Sequence, residues 1–304
     1  MAVRCGQVAA LADPLSRLAG TAEGIVGRRL RLLVAVAACA VAAVAPASAQ
    51  ANRSLAVGFI DNSYASADPG GFWANAKTLN VGFLRWDVQW STIAATRPKH
   101  PRDPADPAYA WGPTDAYVQQ AAAHGMLGRV MFTLWSTPRW AGAHVRHATT
   151  ADMPNLRSWR DFVQACARRY SGRYIPPGAT EPLPRVTAWE TWNEPNAIFA
   201  LRPQFAHGVA VGPRNYVKLL NALKREVRSA IPQRSTFVAG AFYKQGGAQG
   251  LTPVEFMRGM QAAGATFDVL SMHPYNRTAT LGLRDGLRES TTNPSFIGIA
   301  NLGT

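Results

Sequence analysis

The chain has 304 residues, 47% of them hydrophobic and 16% charged, and a formal net charge of +14. That balance supports one large folded domain and excludes an intrinsically disordered chain. The basic residues are scattered, and no zinc-finger, helix-turn-helix or RNA-binding pattern accompanies them, so a nucleic-acid partner is excluded, although such charge still draws a protein toward anionic polymers.

The amino terminus reads as a targeting segment. Arg28, Arg29 and Arg31 precede an apolar run from Leu32 to Val44, and Ala47-Ser48-Ala49 follows as a small-x-small cleavage site. Residues 1–49 are therefore expected to be a secretory signal peptide, with a secreted mature chain beginning at Gln50. The stretch before Arg28 is long for such a signal, and Val26 is an alternative start. The run is too short to span a bilayer, and no comparable stretch follows it, so no membrane association is expected of the mature form. Val36-Ala37-Ala38-Cys39 offers a rival, a lipoprotein anchored through Cys39, but the run stays apolar beyond that cysteine. Cleavage after Ala49 removes Cys5 and Cys39 and leaves Cys166 with no disulfide partner. It also leaves 27 basic against 16 acidic residues, a net +11.

From Leu55 onward, short apolar strands alternate with amphipathic helices, as in a parallel sheet with helical crossovers. The expected strands are Leu55 to Ile60, Val81 to Asp87, Leu127 to Leu134, Val186 to Trp192, Thr236 to Phe242 and Phe267 to Met272. A Pro-rich stretch from Arg97 to Pro113 reads as a long loop after the second strand. The segment Trp159 to Tyr170 reads as a helix with Trp159, Phe162, Val163, Cys166 and Tyr170 on one face, so Cys166 is expected to be a buried structural thiol. In Asn215 to Ile231, the apolar residues Tyr216, Leu219, Leu220, Leu223, Val227 and Ile231 recur at helical spacing, with Lys218, Lys224 and Arg225 expected to face outward. Residues 50–304 carry no internal repeat or linker and read as one domain. His144 and His147 have no third ligand nearby, and no nucleotide or flavin motif is present, so neither a metal nor a cofactor is expected.

The fourth strand carries the most chemistry. It runs directly into Asn193-Glu194-Pro195, which places an amide and a carboxylate side by side at a strand end, closed by a proline. A carboxyl group so placed suits general acid/base work, and the amide suits a hydroxyl-rich ligand. Trp192-Asn193-Glu194-Pro195 resembles the Trp-Asn-Glu-Pro signature of the retaining glycoside hydrolases of clan A, such as families 5 and 39. The resemblance implies a TIM (β/α)8 barrel, a carbohydrate substrate with β-linked O-glycosidic bonds, Glu194 as acid/base and Asn193 on the sugar 2-hydroxyl.

Other strand ends fit the same resemblance. Arg85, in Phe83-Leu84-Arg85-Trp86-Asp87, is similar to the clan's second-strand arginine. Alternation puts Phe83, Arg85 and Asp87 on one face, and a buried guanidinium needs a carboxylate, for which Asp87 or Glu190 would serve. Trp135 or Trp140, after the third strand, would offer an indole face to a sugar or pack in the core. His273-Pro274-Tyr275 is similar to the clan's sixth-strand His-x-Tyr, which adds His273 and Tyr275 as site residues, with Tyr275 hydrogen-bonded to the nucleophile.

A retaining glycosidase needs two carboxylates roughly 5–5.5 Å apart. In this clan the nucleophile is a glutamate ending the seventh strand. Here the acidic residues after Tyr275 are Asp285 and Glu289, and neither follows an apolar strand. Glu190 shares a strand face with Glu194, but four strand residues span about 13 Å, too far for that pair. The strands recur about every 42 residues, so the sequence is expected to hold an incomplete barrel of about six of the eight βα units, without the nucleophile and without turnover on its own. The rival from another class is a non-catalytic secreted barrel that binds sugar.

Overall fold

A computed structural model describes residues 58–142, 149–248 and 250–274, all within one compact unit, Ala56–Thr304. Among them, eight strands and seven α-helices follow in order: β1 (Gly58–Phe59), α1 (Asn62–Ala67), α2 (Pro69–Thr78), β2 (Phe83–Gln89), α3 (Trp90–Ile93), α4 (Gly112–Ala123), β3 (Val130–Trp135), α5 (Leu156–Arg169), β4 (Ala188–Thr191), β5 (Phe205–Ala206), β6 (Val209–Ala210), α6 (Gly212–Ala230), β7 (Thr236–Tyr243), α7 (Pro253–Ala262) and β8 (Val269–His273). Six strands form one parallel sheet in the order β1-β2-β3-β4-β7-β8, and β5 and β6 make a separate hairpin.

The sheet is curled. Arg85 on β2 reaches His273 on β8 at 3.1 Å, although the two strands are four places apart in the sheet. In a flat sheet four steps of about 4.8 Å would hold them about 19 Å apart. Consecutive parallel neighbours joined by helices and bent into an arc make this an incomplete (β/α)8 barrel with six strands in place.

The expected strands are all present, with shifted ends that have physical reasons. Residues 55–57 lie outside the described residues, and the side-chain amide of Asn62 extends β1 instead: its Nδ2 donates to Asp87 O at 2.9 Å and its Oδ1 accepts from Asp87 N at 3.2 Å. β3 begins at Val130 because Leu127–Arg129 forms a 3-10 turn. β4 stops at Thr191 because Trp192 takes φ +66°, which turns the chain out of the extended conformation. Pro113 belongs to α4 rather than to the preceding loop, in the first turn, where its missing N–H costs nothing.

The core lies between the sheet and its helices and is unusually aromatic. Trp90 stacks on Phe162 at 5.0 Å, Trp86 on Tyr117 at 4.2 Å, and Trp159 meets Trp192 edge-on at 5.6 Å. α6 buries Tyr216, Leu219, Leu220, Leu223 and Val227, each contributing about 1.5–3 kcal/mol through removal of apolar surface. One expectation for this helix is corrected. Lys224 does not face outward but is buried, its ammonium donating to Thr266 O at 2.5 Å and to the Thr266 hydroxyl. Helical spacing places its Cα near the boundary of the apolar face, and the long side chain lies along that face to reach a carbonyl. Cys166 is fully buried, and burial holds its thiol well above the ordinary value.

Candidate active site

β4 delivers the chain to the barrel end, and a tight turn there sets the two polar residues. Trp192 at φ +66° and Glu194 at φ +49° both occupy the left-handed region, which costs non-glycine residues of order 1–3 kcal/mol each. Packing and hydrogen bonds hold the turn. The Trp192 indole is fully buried and donates to Ala200 O at 2.8 Å, while its backbone N–H donates to Leu134 O at 2.8 Å. Trp192 is thus an anchor beneath the turn, and Asn193 and Glu194 stand above it, half-buried.

β7 supplies a second clamp. Its register against β8 shifts between Ala239 and Phe242, with Gly240 at φ +116° and Ala241 at φ +48°. This bulge turns the Ala241 carbonyl to accept from Glu194 N at 3.0 Å. Two residues on, fully buried Asn196 mimics a strand: its Oδ1 accepts from Tyr243 N at 2.7 Å and its Nδ2 donates to Tyr243 O and Leu251 O, both at 2.9 Å.

Arg85 organises the side chains. Its Nε lies 3.0 Å from Glu190 Oε2 and donates to Thr133 Oγ1 at 2.6 Å, and the Thr133 hydroxyl donates onward to the same Glu190 oxygen at 2.6 Å. Nη2 donates to Asn193 Oδ1 at 2.8 Å and lies 3.2 Å from Asp87 Oδ1. Nη1 stands 3.1 Å from His273 Nε2. Glu190 is fully buried and Asp87 half-buried, and the guanidinium answers both carboxylates left open as partners in the sequence. Burial pushes the Asp87 carboxyl above its ordinary value and Glu190 adds to the rise, while Arg85 opposes it.

This arrangement fixes two hydrogen-bond assignments. A guanidinium only donates, so the Asn193 carbonyl oxygen must face Arg85, and its NH2 group, which has no partner among the described residues, is available to a ligand hydroxyl. By the same reasoning His273 Nε2 must accept, which leaves the ring proton on Nδ1. That N–H points at Glu194 Oε1, 2.9 Å away. Glu194 and His273 side chains keep 14% and 12% of their surface exposed, enough for a ligand to reach the carboxylate.

Of the six site residues expected from the sequence, Arg85, Asn193, Glu194 and His273 form one connected cluster. Trp135 ends β3, half-buried and packed against the core, with no hydrogen-bond partner for its indole nitrogen among the described residues. Tyr275 lies outside the described residues, as do His144, His147, Asp285 and Glu289. Thr133, Asn196 and the Gly240–Ala241 bulge were not anticipated. A lone threonine in the otherwise apolar run Val130–Leu134 and a glycine inside a strand were the available signals. Among the described residues no three His, Cys, Asp or Glu side chains gather as a metal site would require.

No protein-family profile matches the chain, and no curated protein matches it in sequence. Solved structures that resemble it include a monomeric β-xylosidase from Caulobacter crescentus CB15, 17% identical with a TM-score of 0.48, the match covering 73% of this chain and 41% of the xylosidase. The endoglucanase Cel5A of Thermotoga maritima is 15% identical with a TM-score of 0.42, over 71% of this chain and 54% of that one. The β-glycosidase of Thermosphaera aggregans is 16% identical with a TM-score of 0.40, over 59% and 44%. The chain thus spans about half, or less, of the length of each of these enzymes.

Proposed function

We propose that this protein belongs to a β-glycoside hydrolase of the retaining type, with Glu194 as its acid/base. The observation that carries the reading is the Arg85–His273–Glu194 relay: an imidazole, its tautomer set by a guanidinium, donates to one oxygen of a half-buried carboxylate at a barrel strand end. Glu194 protonates the glycosidic oxygen as the bond to the leaving group breaks, then as carboxylate takes a proton from the incoming water. The Asn193 NH2 group donates to a sugar hydroxyl beside that bond, and Trp135 supplies an apolar wall. The nucleophile is assigned to no described residue, because Asp87 and Glu190 are both engaged by Arg85. Residues 1–49 are proposed to direct secretion, with Gln50 as the first residue of the mature protein.

The experiment compares aryl β-glycosides of different leaving-group acidity. In a longer chain that supplies the nucleophile, replacing Glu194 by alanine is expected to slow substrates with poor leaving groups by about 10²–10⁴-fold, the ordinary worth of a general acid. Activated aryl glycosides, which need no protonation to leave, should be slowed far less at the first step, and azide should restore their turnover. Equal loss on both kinds, with no rescue, would assign Glu194 a structural role.

A further inference from the structure

Two adjoining recesses, of about 560 and 550 Å³, lie between the segment joining α3 to α4 and the exposed flank of α5, from Arg157 in its first turn to Arg168 in its last. They share Pro101, Arg157 and Asp161 and so form one groove. Both walls leave the carboxyl ends of barrel strands, so the recess beside Trp140 and Arg157 starts on the barrel face that carries Glu194, and the second recess follows α5 away from it toward Arg168. Its charge is lopsided. Arg97, Lys99, Arg102, Arg157 and Arg168 line it and are all exposed. The nearby carboxylates leave most of them unanswered: Asp161 pairs with Arg102 at 2.6 Å, and Asp103 accepts from Ala105 N at 2.9 Å. Arg97, Lys99 and Arg157 make no ion pair among the described residues.

Arg157 is also at the wrong end of its helix. It sits in the first turn of the 14-residue α5, where the helix dipole favours acidic residues. A cation kept there, beside two more without partners, costs the fold something, and an anionic ligand would offset it.

We infer that this groove binds an anionic glycan, a polysaccharide bearing carboxylates or sulfates, and feeds it to the site at Glu194. The inference rests on the glycosidase reading and adds its substrate class. A glycan is favoured over a nucleic acid because no Trp, Tyr or Phe ring stands open in the groove: Trp140 is packed edge-on against Trp90 and donates its indole N–H to Ala94 O at 2.7 Å. The cations recognise the acid groups, and their attraction should be screened by salt.

The test is affinity electrophoresis of the 304-residue chain through gels containing polygalacturonate, dextran sulfate or neutral xylan. Retardation by either anionic polymer supports the inference, and the stronger of the two identifies the acid group. Reversing both Arg97→Glu and Arg157→Glu should weaken that binding at least about tenfold, while the melting temperature holds or rises, since a glutamate suits the helix start. The milder pair Arg97→Gln and Arg157→Gln should weaken it less, in the same direction. The control pair Arg214→Glu and Lys218→Glu makes the same change in net charge on the exposed side of α6 and should weaken it less than threefold. Equal loss in the control, no retardation by either acid polymer, or displacement by duplex DNA at lower anion concentration would each overturn the inference. Glu194→Gln separates the two readings. It should abolish labelling of the site by an N-bromoacetyl β-glycosylamine and leave groove binding intact, so groove-dependent binding with no such labelling of the unaltered chain would count against the glycosidase reading alone.

Discussion

Replacing Arg85 by methionine should destabilise the fold severely, because it strands a charge. Arg85 is 8% exposed and Glu190 is fully buried, their nearest atoms 3.0 Å apart. At an effective dielectric near 20, two unit charges at that separation attract by about 5 kcal/mol. Removing one member of such a pair leaves the other uncompensated and costs about 3–5 kcal/mol. Thr133 would still donate to Glu190, which places the expected loss toward the lower end. For a domain of this size each kcal/mol lowers the melting temperature by about 2–4 °C, so a fall of about 6–15 °C is expected. Urea denaturation of the single variants and of Arg85→Met with Glu190→Gln completes the cycle. The double variant should lose at least 1 kcal/mol less than the sum of the singles, because the glutamine carries no charge to strand. A loss below about 1 kcal/mol for Arg85→Met, or strict additivity, would refute the reasoning.

Three further outcomes follow from single features. Burial raises the folded-state pKa of Asp87 above its unfolded value, so the folded state binds that proton more tightly and stability falls as pH rises between the two values; Asp87→Asn should remove that downward slope, measured by urea midpoints across the acidic range. Gly240→Ala should cost several kcal/mol in the same assay, because the residue holds φ +116° and a Cβ there would collide with Ser271 O; ready tolerance would mean the bulge does not set Glu194. Cys166 should resist iodoacetamide in the native chain and react once urea unfolds it, because its thiol is fully buried and its ionisation suppressed; mass mapping of the Cys166 peptide reads this directly.

How much of this was legible in the sequence differed by residue. The strands could be read because each is an apolar run bounded by turn residues, and the cluster could be read because Asn193 and Glu194 end such a run and Arg85 and His273 match what the family resemblance implied. Glu190 was legible as a guanidinium partner because a buried charge in an apolar strand demands one. Helical spacing misplaced Lys224, because it counts Cα positions and ignores how far a four-carbon stem reaches. The curl of the sheet, the left-handed turn at Trp192 and Glu194, and the bulge at Gly240–Ala241 depend on contacts between segments far apart in sequence. Local propensity carries none of that information. Thr133 shows the same limit on a smaller scale: a threonine in a strand is ordinary until Arg85 and Glu190 are seen on either side of it.

The central claim is that Glu194 is the reactive carboxylate of a sugar-binding site, and affinity labelling tests it without requiring turnover. An N-bromoacetyl β-glycosylamine places its bromomethylene carbon where the glycosidic oxygen of a substrate would lie, and a carboxylate oxygen displaces bromide there to form an ester. The account predicts one ester per chain, on the peptide carrying Glu194, suppressed by excess unreactive disaccharide and absent from Glu194→Gln. Labelling spread over exposed carboxylates such as Glu181 and undiminished by the disaccharide would contradict it.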